Sequence, residues 1–189
     1  MINIGIQGAK GSFSEEAGEL FAKNHGIEGY NLKYLINSEN VLMSLENNEI
    51  NFGIIAMENA QGGVVIESVI ALAGHLCQII EMFHLQISQN LLVIPGTNIG
   101  QITEIHSHQQ ALRQCKNYLS EHFWTRPLIE TDDTAEAARR LKEGKLLDTV
   151  GVIGSKHCAN LYSLSILEHD IHDLKNNLTL FLEIKKYGK

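Results

Sequence analysis

Three features of the sequence predict a two-lobed α/β fold. Short apolar runs alternate with amphipathic stretches over residues 1–75, an order that builds a mostly parallel sheet. Residues 77–94 then form a long β-like run without glycine. A second alternating set follows, and a chain of 189 residues suits two small lobes. The expected division assigns residues 1–76 and 175–189 to the first lobe, with residues 77–174 and their crossing segment in the second.

Taken in order, residues 2–7 read as a buried strand ending at Gly8, and residues 12–23 as a helix. Ser12 with Glu15 three residues later is the capping-box pattern. A strand near residues 30–35, a helix over 38–47, a strand over 51–57 and a helix over 64–73 complete the first set. Residues 77–94 form a strand or strand pair crossing between lobes, stopped by the Pro95-Gly96 turn. The second set has strands at 102–105, 126–130 and 149–153 and helices at 108–118, 133–143 and 155–161. Residues 179–184, TLFLEI, are rich in β formers and supply the last strand, which can return to the first lobe.

Composition narrows the function. With 44% hydrophobic and 20% charged residues and two prolines, the chain is globular. Its net charge of −7, with lysines and arginines scattered, argues against nucleic acid as a partner. No apolar run of about 18 residues is present, and the opening residues lack the basic and apolar regions of a signal peptide, so no membrane partner is expected. Cys77, Cys115 and Cys158 are odd in number and widely spaced, which fits reduced thiols in the cytoplasm.

In such sheets, ligands collect beyond the C-terminal ends of strands. Those ends fall at residues 8–12, 58–63, 106–108, 131–134 and 154–156. Around Gly11 and Ser12, a glycine turn opens a helix, where free N–H groups and the helix dipole favour an anion, and Lys10 adds charge. The same segment also reads as a plain capped turn. Glu58, Asn59 and Gln61 sit on a turn after a buried strand, and Gly62 and Gly63 permit close backbone approach. His106 and His108 are spaced as strand neighbours, but no third ligand is near, so no metal is expected. Ser107 reads as a helix cap with an exposed hydroxyl. Asp133 or Thr134 caps the next helix, and Asn176 and Asn177 mark a turn before Thr179. There is no GKS or GKT phosphate loop, dinucleotide fingerprint or recognisable catalytic triad, and no cofactor is expected. Glu58 and Glu81 leave a paired-carboxylate hydrolase open.

Five ordered motifs resemble the prephenate dehydratase family over nearly the whole chain. Residues 8–17, GAKGSFSEEA, are similar to its G-P-x-G-T-F-S-x-x-A, and residues 58–65, ENAQGGVV, to its E-N-S-x-x-G-x-V. Residues 107–115, SHQQALRQC, and 133–138, DTAEAA, resemble S-H-P-Q-A-L-x-Q-C and S-T-A-x-A-A. The fifth resemblance joins residues 161–164 and 171–173 to the family's Y-G-L and I-Q-D elements. The resemblance implies a periplasmic-binding-protein-like, type II two-lobed fold with a ligand cleft between lobes, a homodimer, and conversion of prephenate, a small dicarboxylate, to phenylpyruvate. It also implies the catalytic domain alone, without a regulatory domain.

By the same resemblance, Thr179 is the catalytic residue, and Gly11, Ser12, Glu58, Asn59, Ala60, Gly62, Ser107, His108, Gln114, Thr134, Asn177, Leu180 and Phe181 border the substrate. Where the family reads N-x-T-R-F, this chain reads Asn177-Leu178-Thr179-Leu180-Phe181, so its substrate-binding arginine is Leu180. The family serine after Glu-Asn is Ala60, and the proline after Ser-His is Gln109. A leucine cannot supply the paired hydrogen bonds of a guanidinium. Lys10, Arg113 and Lys156 are the replacement cations their strand-end positions suggest. A lyase, with a decarboxylase-like relative as a variant, and a non-catalytic binder of small carboxylates both stay open. Thr179 favours the first, Leu180 and Ala60 the second.

Overall fold

A computed structural model describes residues 1–188. The chain forms two compact units, one made of residues 1–86 and the segment from Leu178 onward, the other of Ile87–Asn177. The chain passes from one unit to the other at 86/87 and 177/178.

The first unit contains β1 (Asn3–Ile6), α1 (Phe13–Asn24), β2 (Asn31–Tyr34), α2 (Ser38–Glu46), β3 (Phe52–Asn59), β4 (Gly63–Val64), α3 (Ile66–Gly74) and β5 (Cys77–Gln86). Its sheet runs β2-β1-β3-β11-β5, with β4 on the end of β3, where β11 is the final strand Leu178–Lys186. The β1 pairs are parallel, whereas β11 runs antiparallel to β3 and β5. Alternation along β11 sends Phe181 to a cluster with Ile4, Ile6, Phe21 and Ile54, and Leu182 and Ile184 to one with Val41, Leu42 and Leu45.

The lobe boundary expected at 76/77 lies ten residues too early, because β5 pairs with β11 along its length. Residues 175–177 likewise fall in the second unit. The apolar run at 77–94 spans two strands, and Ile87 begins the second unit.

The second unit contains β6 (Asn90–Val93), a 3-10 turn (Ile99–Gln101), β7 (Glu104–His108), α4 (Gln109–Gln114), α5 (Lys116–His122), β8 (Leu128–Thr131), α6 (Thr134–Lys142), β9 (Val150–Gly154), α7 (Lys156–Tyr162) and β10 (Ser165–Glu168). Its sheet order is β10-β6-β9-β7-β8, parallel at β9-β7-β8 and antiparallel at β10-β6-β9. Cys115 divides the helix expected over residues 108–118 into α4 and α5. The strand β10 has no counterpart in the sequence reading. It follows Ser163, whose left-handed backbone (φ 53) ends α7 and turns the chain back. All three cysteines are free thiols. Among the described residues, no helix is long and apolar enough to cross a membrane.

Candidate functional site

Thr179 is the second residue of β11, and its cross-strand partner is Asn59 at the end of β3. Both are buried. Asn59 Nδ2 donates to Thr179 Oγ1 at 2.9 Å, and its Oδ1 accepts from the backbone N–H groups of Gln61 (3.0 Å) and Gly62 (2.8 Å). One side chain thus folds the 59–62 turn and positions the threonine. Ala60 N–H donates to Leu178 O at 2.8 Å, closing this turn onto the start of β11. Because Asn59 fills an acceptor site on Thr179 Oγ1, the hydroxyl's own proton stays available to a bound group. Gly62 enters through its backbone, and Ala60 is exposed at the tip of the turn.

Thr179 and Leu180 point to opposite faces of β11. Leu180 lies half-buried between Glu58 of β3 and His84 of β5, both exposed. A register shift follows Leu180 in the β11–β3 pairing, leaving Met57 as the extra residue on β3. This irregularity is separate from the turn expected at Asn176 and Asn177, which is present at residues 175–176 just before β11. Phe181 itself, expected at the ligand, is 1% exposed and stacks on Phe83 with ring centroids 5.9 Å apart. Its aromatic surface goes to the core.

The turn before α1 is also committed internally. Ser12 caps α1 by accepting from Glu15 N–H at 3.4 Å. The Glu15 carboxylate accepts from Gly11 N–H and from Tyr34 Oη. The Gly11 amide expected to meet a ligand anion thus binds an internal carboxylate instead. Gly8 holds φ 135, and a Cβ there would fall 2.6 Å from Ser12 Oγ, so the turn needs glycine.

In the second unit, Gln114, Asn177 and Gln89 form a buried amide cluster. Gln114 Oε1 accepts from both Asn177 Nδ2 and Gln89 Nε2 at 3.0 Å. Gln89 Oε1 is buried without a hydrogen bond. Ile87 N–H donates to Asn177 O at 2.7 Å, tying together the unit's first and last residues.

Ser107 is fully buried, contrary to the exposed cap expected, and donates to Ile153 O at 2.9 Å. His108 caps α4 instead, with Nδ1 accepting from Gln110 N–H at 3.2 Å. Thr134 is half-buried in the first turn of α6, which Asp133 caps. Of the cations considered as replacements for the family arginine, Lys10, Arg113 and Lys156 all have exposed side chains. The three-ligand set among the described residues is His25, Glu81 and Glu183, which no sequence spacing suggested.

These parts define an α/β chain of two sheets with a buried, asparagine-held threonine at the strand that re-enters the first sheet. The sequence model of prephenate dehydratase matches residues 4–189, and the chain belongs to the prephenate dehydratase family. It is 35% identical over 182 residues to a prephenate dehydratase of Methanocaldococcus jannaschii, covering 95% of this chain and 63% of that protein. It is 32% identical to arogenate dehydratase/prephenate dehydratase 1 of Arabidopsis thaliana, covering 96% of this chain and 44% of the relative. The chain thus spans less than two thirds of either relative. The crystal structure of an Arthrobacter aurescens prephenate dehydratase in complex with L-Phe superposes with a TM-score of 0.88 at 23% identity, covering all of this chain and 61% of the other. That likeness establishes the shared fold, in agreement with the expected fold class.

Proposed function

We propose that this chain is a prephenate dehydratase-type lyase, converting prephenate to phenylpyruvate with loss of carbon dioxide and water. The observation that carries the reading is the buried Thr179 hydroxyl, fixed by Asn59 and left with a proton to donate. When the bond to the departing carboxylate breaks, its electron pair enters the ring and the ring C–O bond breaks. The leaving oxygen takes up one proton and departs as water. Formation of an aromatic ring drives the step, so the protein's task is to orient the substrate and stabilise charge on the leaving oxygen. Thr179 would donate its hydrogen bond there, with solvent supplying the net proton. No resident metal or cofactor is invoked.

The remaining family-matched positions, from Gly11 and Glu58 to Ser107, His108 and Thr134, stay part of this proposal as binding or supporting residues. The chain would act in the cytoplasm as a homodimer. Support for self-association comes from the exposed apolar residues of α3, Ile66, Val69 and Ile70, and of the edge strand β5, Ile79, Ile80 and Met82. Unpaired, apolar strand edges are pairing surfaces. Light scattering should give twice the chain mass, and Ile70→Lys should shift it to the monomer. A monomeric wild type removes the dimer claim.

Purified protein mixed with prephenate and followed in the ultraviolet tests the activity. Growth of the phenylpyruvate signal is expected, persisting after chelator treatment. Prephenate bound but unchanged contradicts the lyase reading.

A further inference from the structure

Outside this site, the first unit brings together one imidazole and two carboxylates. His25 ends α1, Glu81 lies on β5, and Glu183 on β11 is its direct cross-strand partner. His25 Nε2 is 2.8 Å from Glu81 Oε2 and 3.6 Å from Glu183 Oε2, and one ligand atom from each of the three lies within 4.8 Å of the others. Two facing carboxylates repel each other, and this sheet position makes the repulsion costly. Glu183 is 1% exposed, and its Oε2, aimed at the cluster, is buried with no hydrogen bond. Burying such an atom without a partner is unfavourable, so its orientation toward the other two ligands asks for a cation.

We propose that His25, Glu81 and Glu183 bind a divalent first-row transition ion of the zinc class, fastening the end of α1 to β5 and β11. Imidazole with two carboxylates suits zinc, whereas magnesium and calcium prefer all-oxygen shells. Zinc bonds of about 2.0–2.1 Å in a tetrahedron place ligand atoms roughly 3.3 Å apart. The 3.6 Å pair already meets that spacing, and the 2.8 Å pair needs a small outward movement of Glu81. The side chains of His25 and Glu81 are 40% and 42% exposed, which allows the movement and admits water as the fourth ligand. Phe21 packs on the His25 ring with centroids 4.6 Å apart, limiting the ring's rotation. The role assigned to the ion is structural, and Thr179 takes no part in it.

The test is titration of zinc ion into the chelator-stripped full chain by calorimetry, with thermal unfolding alongside and cobalt ion as a spectroscopic probe. Expected are one ion per chain, a higher melting temperature with zinc, and visible tetrahedral cobalt absorption. In separate His25→Gln, Glu81→Gln and Glu183→Gln variants the affinity should fall at least about tenfold and the zinc-dependent rise in melting temperature should disappear. His25→Gln and Glu81→Gln change exposed side chains, so a folded protein is available for comparison. No saturable binding by the wild type overturns the proposal. Unchanged affinity in His25→Gln and Glu81→Gln overturns it as well, by placing the ion on other histidines.

Discussion

Two buried amide clusters, one in each unit, are used in opposite ways. In the first unit, Asn59 spends its amide on Thr179 and its carbonyl on the 59–62 turn, which leaves a hydroxyl proton to donate. In the second, Asn177 and Gln89 both donate to Gln114, which leaves the buried acceptor Gln89 Oε1 over. The same chemistry of side-chain amides positions the hydroxyl proposed to act on substrate in one unit and ties together the first and last residues of the other. The difference follows from what stands opposite each amide, a hydroxyl that both accepts and donates against a carbonyl that only accepts.

This contrast predicts a separation of effects. Thr179→Ala should lower prephenate turnover by about 10²–10³-fold, the usual cost of removing a donor used in the transition state. Its stability loss should be about 1 kcal/mol, from one lost hydrogen bond. Steady-state kinetics beside thermal unfolding checks both, and a fully active alanine variant removes Thr179 from the chemistry. Gln114→Leu should behave conversely. It removes the acceptor shared by Asn177 Nδ2 and Gln89 Nε2 and should destabilise the protein by roughly 2–3 kcal/mol, with a smaller loss of turnover than Thr179→Ala. A Gln114→Leu protein of normal melting temperature and absent turnover would assign this cluster to substrate binding.

The units should also differ in their response to pH. His75 Nε2 lies 2.9 Å from Glu39 Oε1, and its Nδ1 lies 3.1 Å from Glu46 Oε2. The hydrogen bond to Glu39 raises its pKa above 6.5, partial burial opposes this, and Glu46 adds to the rise. The protonated ring therefore stabilises the fold fully below pH 6.5, and that contribution fades as pH rises through the higher folded value. His75→Gln should lower the melting temperature most near pH 5.5 and least near pH 9. In the second unit, Arg139 pairs with Glu136 at 2.8 Å and Glu143 at 2.7 Å, and the guanidinium keeps its charge throughout. Arg139→Gln should give a small melting shift that stays constant over the same window. Equal pH dependence for the two variants contradicts the assignment.

The smallest stability effect is expected at Leu180. Its half-buried side chain flanks exposed Glu58, so an arginine there can reach a carboxylate and solvent. Leu180→Arg should change stability by no more than about 1 kcal/mol and, because this side chain points to the face of β11 opposite Thr179, leave prephenate turnover unchanged. A rise in turnover would place residue 180 at the substrate, and a large melting loss would contradict its half-buried setting.

Much of the fold is legible in the sequence because local signals agree with it. Ser12 and Glu15 announce α1, and the alternation of residues 179–184 announces β11. Pairing is less legible. The run at 77–94 looks equally apolar on both sides of residue 86, and only β11 shows where the first sheet ends. Phe181 reads as a ligand contact from its motif, yet alternation places it against Phe83. The helix expected from residue 38 begins there without the capping-box signal that marks α1, and Asn37, which accepts from Asn40 N–H, caps it. Asn59 and Thr179 stand 120 residues apart, so the resemblance brings them onto one map while only the β3–β11 register brings them into contact. The His25, Glu81 and Glu183 group is assembled in the same way and leaves no motif.

The central claim is that Asn59 acts through the Thr179 hydroxyl, and a double-mutant cycle in kcat with prephenate tests it most directly. Asn59→Ala, Thr179→Ala and the double variant are compared with wild type. Coupling through the 2.9 Å hydrogen bond predicts that each single variant is strongly impaired and the double variant turns over no more slowly than Thr179→Ala. Two losses that multiply in the double variant would mean that asparagine and threonine contribute independently, and would contradict the account.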